Sequence, residues 1–243
     1  MVSPFRNIDP VLLKEYHHLT TGQINTFFGY TVLPEIPVAT ATSLETFREL
    51  TIVAEALDRH KVAFVTLKGP LLAYRLNGDV TSRYYTDLDI LVELPEIDKA
   101  VSALRELGYK NAGAAWPETK RIQNMLARHD NQVGFSHPDR MMIIELHWRL
   151  MATAPVSDRR LSEIVRSNLT EISFGGRSFT VLSDELEFLY LIIHGGRHYW
   201  RRLKWLVDAD SFLRNRKIDR SKFEILVTEL RAERLVAIFT EVY

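Results

Sequence analysis

Apolar residues recur along this chain with two different periods, and the change from one to the other divides it into segments. Over residues 9–30, Leu12, Leu13, Tyr16, Leu19, Ile24 and Phe27 form a loose helical face. The stretch TVLPEIPVAT (31–40), with two prolines, reads as a connector. From Ser43, a capping serine, the residues Leu44, Phe47, Leu50, Val53, Ala54 and Leu57 return at helical spacing and predict a helix reaching His60.

Beyond His60 the period shortens. VAFVTL (62–67) is a short buried strand that stops at Lys68-Gly69-Pro70. Proline is favourable just inside a helix start, because its missing N–H would be unpaired there anyway, so residues 70–76 open a short helix. After the turn at Asn77-Gly78 and the polar, aromatic TSRYYT, LDILVEL (88–94) is a second strand, closed by Pro95. EIDKAVSALRELGY (96–109) is an amphipathic helix with Gly108 near its end. Residues 111–130 have no clear period, whereas QVGFSH and MMIIELHW, separated by HPDR (137–140), predict a hairpin. From Pro155 the pattern is mainly helical, with a strand pair in EISFGGRSFTVL (171–182) and a long helical stretch over 184–214 interrupted at Gly195-Gly196. FEILVTELRAERLVAIFTEVY is helical to the last residue without a stop signal, as a piece of a longer chain would be. The expected organisation is a mixed α/β half with N-terminal helices (1–153), then a mainly helical half (154–243).

Composition narrows the function classes. Hydrophobic residues make up 46% and charged residues 26%, an ordinary globular balance. Lys+Arg and Asp+Glu both number 31, so no global field grips nucleic acid or an anionic membrane, and anion binding must come from local clustering. Cysteine is absent, which removes disulfides, thiolate zinc sites and a cysteine nucleophile. The opening MVSPFRNIDP lacks a basic-then-apolar leader, and no apolar run approaches ~18 residues, so a cytoplasmic protein is expected.

The chemistry concentrates in three places. Alternation puts Asp87 and Asp89 on one side of their strand, about 6–7 Å apart, where they repel unless a cation sits between them. Mg²⁺ suits this, taking carboxylate oxygens and substrate phosphates together. The plainer reading is a charged, exposed strand end. Glu145, within the apolar MMIIELHW, is costly to bury alone and would be relieved by a cation shared with the two aspartates, or by an arginine. His147 shares its face, either assisting by hydrogen bonding or as a structural histidine. Upstream, the strand–Lys68-Gly69-Pro70–helix turn offers backbone N–H groups, a helix N-terminus and a lysine to phosphate. Arg83, four residues before Asp87, is either a phosphate partner or a surface arginine.

LKGPLLAYRL, RYYTDLDILV and IIELHW together resemble the uncharacterised nucleotidyltransferase family of the polymerase-beta-like superfamily. LYLIIHGGRHYWRRLKWLVDAD resembles that family's helical motif of His, His-x-Trp, Arg-Leu, Trp and Asp, so the likeness covers roughly residues 44–215. It implies an α+β fold: a small mixed sheet with flanking helices, plus a largely helical C-terminal half. It also implies Asp87, Asp89 and Glu145 as ligands of two Mg²⁺ ions, with Mn²⁺ as the alternative ion. An acceptor hydroxyl would attack the α-phosphorus of an NTP, ATP by preference, and release pyrophosphate. Glu145 would ligate on the acceptor side or take the acceptor proton. One departure stands out: many superfamily members have Gly-Ser at the phosphate turn, where this chain has Gly69-Pro70, leaving Lys68 or Arg83 to compensate.

In the basic segment 194–217, His194 and His198 share a face with Arg201 and Arg202 near it. His198, Arg202 and Lys204 are the candidates for reaching the triphosphate or acceptor, with His194 assisting. A zinc site at His194, His198 and Asp208 is the other reading of these histidines. The expected activity is NMP transfer to a small molecule such as an antibiotic, or to a peptide or protein. Phosphotransfer to such acceptors, a non-catalytic toxin–antitoxin or regulatory module, and an RNA-tailing enzyme are the alternatives. Zero net charge weighs against the last, and three intact acids weigh against the non-catalytic module.

Overall fold

The computed structural model describes residues 8–32, 38–113 and 115–243, with backbone alone for 38–43. Residues 33–37 of the expected connector lie outside the described residues. In chain order the elements are α1 (Pro10–Glu15), α2 (Thr21–Phe28), α3 (Val38–Arg59), β1 (Phe64–Leu67), α4 (Gly69–Asn77), β2 (Asp87–Val92), α5 (Ile97–Glu106), β3 (Lys110–Asn111), α6 (Lys120–His129), β4 (Gln132–His137) and β5 (Arg140–His147). There follow α7 (Asp158–Ser167), β6 (Leu169–Phe174), β7 (Arg177–Leu182), α8 (Asp184–Arg197), α9 (Lys204–Asn215), α10 (Arg220–Glu229) and α11 (Glu233–Val242). Single 3-10 turns precede β2 and α5. The fold is α+β, as expected.

Contacts divide the chain into two units that interleave in sequence. The sheet unit holds Leu44–Leu71 and Tyr85–Leu182; the helical unit holds Met1–Ser43, Leu72–Tyr84 and Ser183–Tyr243. This differs from a single boundary at 153–154. The reason is that β7 contacts β1, which draws residues 154–182 into the sheet unit.

The five-stranded sheet has the order β1-β2-β5-β4-β3. β1 and β2 are antiparallel, β2 and β5 parallel, and β5, β4 and β3 successively antiparallel. One face of β5 carries Met142, Ile144 and Leu146, all nearly or fully buried. The Thr46 hydroxyl of α3 lies 3.2 Å from the Met142 sulfur, which places α3 on that face. The opposite face of β5 carries Met141, Ile143, Glu145 and His147. A second sheet is the hairpin β6–β7, the strand pair read from 171–182.

In the helical unit, Leu72 and Leu76 of α4 join Phe188, Leu191 and Ile192 of α8, Ala209 and Phe212 of α9 and Phe239 of α11 in one core. Leu13, Leu19, Ile24 and Phe28 form a second cluster around Val207. The expected N-terminal helix is two helices, because Thr20 and Gln23 make a reciprocal cap that starts α2 afresh. Gly195-Gly196 does not interrupt the helix as expected, since α8 runs through both to Arg197. These glycines answer crowding: a Cβ on Gly195 would stand 2.2 Å from the Trp200 ring, and one on Gly196 2.9 Å from Leu235. The break comes later, where Tyr199 and Trp200 adopt left-handed φ of 55° and 50°. α6, from the segment without clear period, has a sharply one-sided pattern in which only Gln123 and Ala127 are buried.

Candidate active site

β2 opens on Asp87 and carries Asp89, and β5 runs parallel beside it. Their register pairs Asp87 with Ile143, Asp89 with Glu145 and Leu91 with His147. Side chains alternate along a strand, so Asp87, Asp89, Glu145 and His147 share one face of the sheet. A carboxylate oxygen of Asp89, one of Glu145 and a ring nitrogen of His147 lie within 4.8 Å of one another. Among the described residues this is the sole group so placed.

The setting of each group differs. The Asp89 side chain is 6% exposed, with Oδ1 2.9 Å from His147 Nε2 and Oδ2 3.6 Å from Lys68 Nζ. Glu145 is 29% exposed, the most open of the three, with Oε2 3.7 Å from the same His147 Nε2. Complete burial disfavours a charged His147 ring, but hydrogen bonds to Asp89 and Glu145 outweigh this and hold its pKa above the ordinary histidine value. Behind the imidazole, Asn131 Nδ2 lies 3.2 Å from His147 Nδ1. No sequence signal pointed to Asn131, since a pairing sixteen residues along the chain follows from the β4–β5 geometry alone.

Lys68 and Gly69 form the turn from β1 into α4. Lys68 has φ of 45° and Gly69 φ of 56°. For a side chain larger than hydrogen the left-handed region costs roughly 1–2 kcal/mol, and such strain is characteristic of functional turns. At Gly69 it is the dihedral that calls for glycine, because an added Cβ would meet Leu88 at an ordinary 3.7 Å.

The remaining candidates belong to the helical unit. Arg83 is buried, and its Nε donates to both carboxylate oxygens of Asp208 at 2.9 Å. This partner was not anticipated, and it sets the arginine in an ion pair between the TSRYYT segment and α9. His194 and His198 ring centroids are 4.7 Å apart, and His198 stacks on Trp205 at 5.0 Å. Asp208 belongs to Arg83 and does not join the histidines in a metal cluster, which corrects the zinc alternative. Arg202 is exposed and Lys204 half-buried at the start of α9. Two nearby histidines escaped sequence reasoning. His17 Nδ1 accepts the Leu203 N–H at 3.1 Å, and His18 stacks on Tyr84 at 5.2 Å. Burial first, and then the charge of Arg202, hold both pKa values below the ordinary one, so these rings stay neutral beside the cations.

The donor set fits a hard divalent cation. Carboxylate oxygens converge from two strands, and the lysine ammonium at Asp89 shows that the site already draws positive charge.

Among known proteins, a family described as uncharacterised nucleotidyltransferase matches residues 37–243. The solution structure of the antibiotic-resistance factor ANT(2″)-Ia is similar, with a TM-score of 0.53 and 13% identity over 84% of this chain and 98% of that one. Lincomycin-bound lincosamide antibiotic adenylyltransferase LnuA gives 0.44 and 16% over 68% and 94%. An antigenic nucleotidyltransferase-like protein from Paracoccidioides brasiliensis gives 0.42 and 15% over 71% and 76%. At these identities the likeness is one of fold. No curated protein matches the sequence. No helix among the described residues is long and apolar enough to cross a membrane.

Proposed function

The chain belongs to the uncharacterised nucleotidyltransferase family, and from that premise we propose that this enzyme moves a nucleoside monophosphate, AMP from ATP, onto a hydroxyl of a small molecule. The observation that carries the reading is the register pairing of Asp89 with Glu145 on parallel strands, beside the strained Lys68-Gly69 turn. The similar structure ANT(2″)-Ia is described as an antibiotic-resistance factor, which makes hydroxyl-bearing antibiotics the first acceptors to try.

Asp87, Asp89 and Glu145 would hold Mg²⁺. When bound, the ion supplies charge neutralisation at the triphosphate and lowers the pKa of an acceptor hydroxyl. The chain's own groups divide the remaining work by their settings. Asp89, sealed and held on both oxygens, is suited to fixed ligation. Glu145, more open and bound by one long contact, is suited to take the acceptor proton as the hydroxyl oxygen bonds to the α-phosphorus and the bond to the β-phosphate oxygen breaks. Lys68 is close enough to Asp89 to turn toward the departing pyrophosphate, with Gly69 letting phosphate approach the backbone. His198, Arg202 and Lys204 remain proposed nucleotide-binding residues.

The test incubates the protein and Mg²⁺ with ATP labelled on the α-phosphorus or, separately, on the γ-phosphorus, against lincosamide and aminoglycoside acceptors. Label transferred from the α position with pyrophosphate release supports the proposal. Transfer of γ label would replace it with phosphotransfer, and a chain inert with every NTP and acceptor would remove it.

A further inference from the structure

The sheet unit holds a cavity of about 450 Å³ at the end of β1 and β2 away from the Lys68-Gly69 turn and Asp87. Val65, Leu91, Trp148, Leu161, Val165 and Leu169 give it apolar walls. Asp87, Asp89, Glu145 and His147 do not line it. A space of this size suits a compact organic molecule. Three arginines also belong to its lining: Arg149, Arg166 and Arg177. Arg166 is taken up by Glu93, to which its Nε and Nη2 donate at 2.6 and 2.9 Å. The other two are only partly satisfied. Arg149 donates from Nη1 to Asp158 at 3.1 Å and from Nη2 to the Asp130 carbonyl. Arg177 donates from Nη2 to Asp58 at 2.9 Å and lies over the Phe179 ring, 4.7 Å from its centroid. These contacts fix both guanidinium groups, yet each keeps a buried Nε–H with no hydrogen-bond partner among the described residues.

We infer that this cavity is a binding site for a small carboxylate with an apolar body, separate from the site of transfer. A buried donor without a partner is costly, and two such donors on residues of one cavity call for an acceptor. Water answers this poorly, since a buried water needs roughly two to four polar partners and the walls are mainly apolar. Charge selects an anion over a neutral acceptor. The Arg149 side chain is 13% exposed against 64% for Asp158, and Arg177 is 21% exposed against 58% for Asp58. The cations are thus placed deeper than their acids, which stand in water and are screened there. A carboxylate drawn from solvent supplies the charge-assisted bonds that the Nε–H groups lack. Its apolar body covers the walls and excludes water from them.

The test titrates straight-chain carboxylates, from acetate to decanoate, into the whole chain by calorimetry, without nucleotide or metal. One site is expected, with affinity rising about fourfold for each added methylene until the cavity is full, and level beyond that. Octanol should bind at least about tenfold more weakly than octanoate, having lost the charge-assisted bond. Ser162→Trp, which fills the cavity from a half-buried position on α7, should abolish binding. Arg177→Gln should weaken it by about tenfold. No binding anywhere in the series, equal affinity for octanol and octanoate, or unchanged binding in S162W and R177Q would each overturn the proposal. The carboxylate and alcohol series on the wild-type chain decides the matter however the variants fold. Because no nucleotide, metal or acceptor is used, failure here is distinct from failure of the transfer reaction.

Discussion

Buried charge is handled differently in the helical unit and on the face of the main sheet that carries Asp89 and Glu145. In the helical unit each deeply placed acid has an arginine. Asp208 takes Arg83, Asp184 and Glu187 share Arg75, Arg216 adds to Asp184, and Asp210 takes Arg214. On that face of the main sheet, Asp89 and Glu145 share a histidine, and Asp89 also meets Lys68. Removing a carboxylate from water costs several kcal/mol unless opposite charge offsets it. Balanced clusters close on themselves and serve architecture. The carboxylates of the sheet face, brought together with a histidine and not an arginine, form the group able to hold a metal ion.

Perturbing each kind of cluster should therefore give a different signature. The largest effect is expected on the sheet face. Asp89→Asn should lower transfer by more than about 10³-fold, since several kcal/mol of charge stabilisation are at stake, while the chain still folds cooperatively. Normal turnover would end the assignment. Next comes Arg83→Ala, which strands Asp208 at 1% side-chain exposure. It should destabilise by about 3–5 kcal/mol in denaturant titrations; a loss under about 1 kcal/mol would show that Asp208 finds another partner. Lys68→Ala should weaken NTP binding by about tenfold, the worth of one charge-assisted contact, with stability little changed, and equilibrium binding of labelled ATP would register it. The smallest effect is expected from Arg220→Ala, which removes a fully exposed pair with Glu224. No measurable change in melting temperature is expected there, and a clear loss would contradict the distinction between buried and surface charge.

What the sequence made legible follows the same division. Local chemistry could be read: Asp87 and Asp89 two apart in an apolar strand, Glu145 in another, glycine and proline after Lys68. Each belongs to a short segment whose period or turn residues speak for themselves. Groups that acquire meaning only in three dimensions could not be read. Arg83 looked like a phosphate partner because it lies four residues from Asp87, but it lies 125 residues from the acid it bonds. Gly195 looked like a helix break, and only the Trp200 ring folded back against it explains the missing side chain. Asn131 carried no mark at all, because its partner faces it across a hairpin. The unit boundary escaped for a related reason, since a pattern read along the chain favours contiguous halves.

The ladder between β2 and β5 has one more consequence. Glu145 meets Asp89 through backbone pairing, and a slip of one residue would set Leu146 or Ile144 beside Asp89 and turn Glu145 toward the apolar interior. A one-residue misalignment of these two strands would leave Asp87 and Asp89 in place without Glu145 beside them, so the population of active molecules would count how many have formed this one rung correctly.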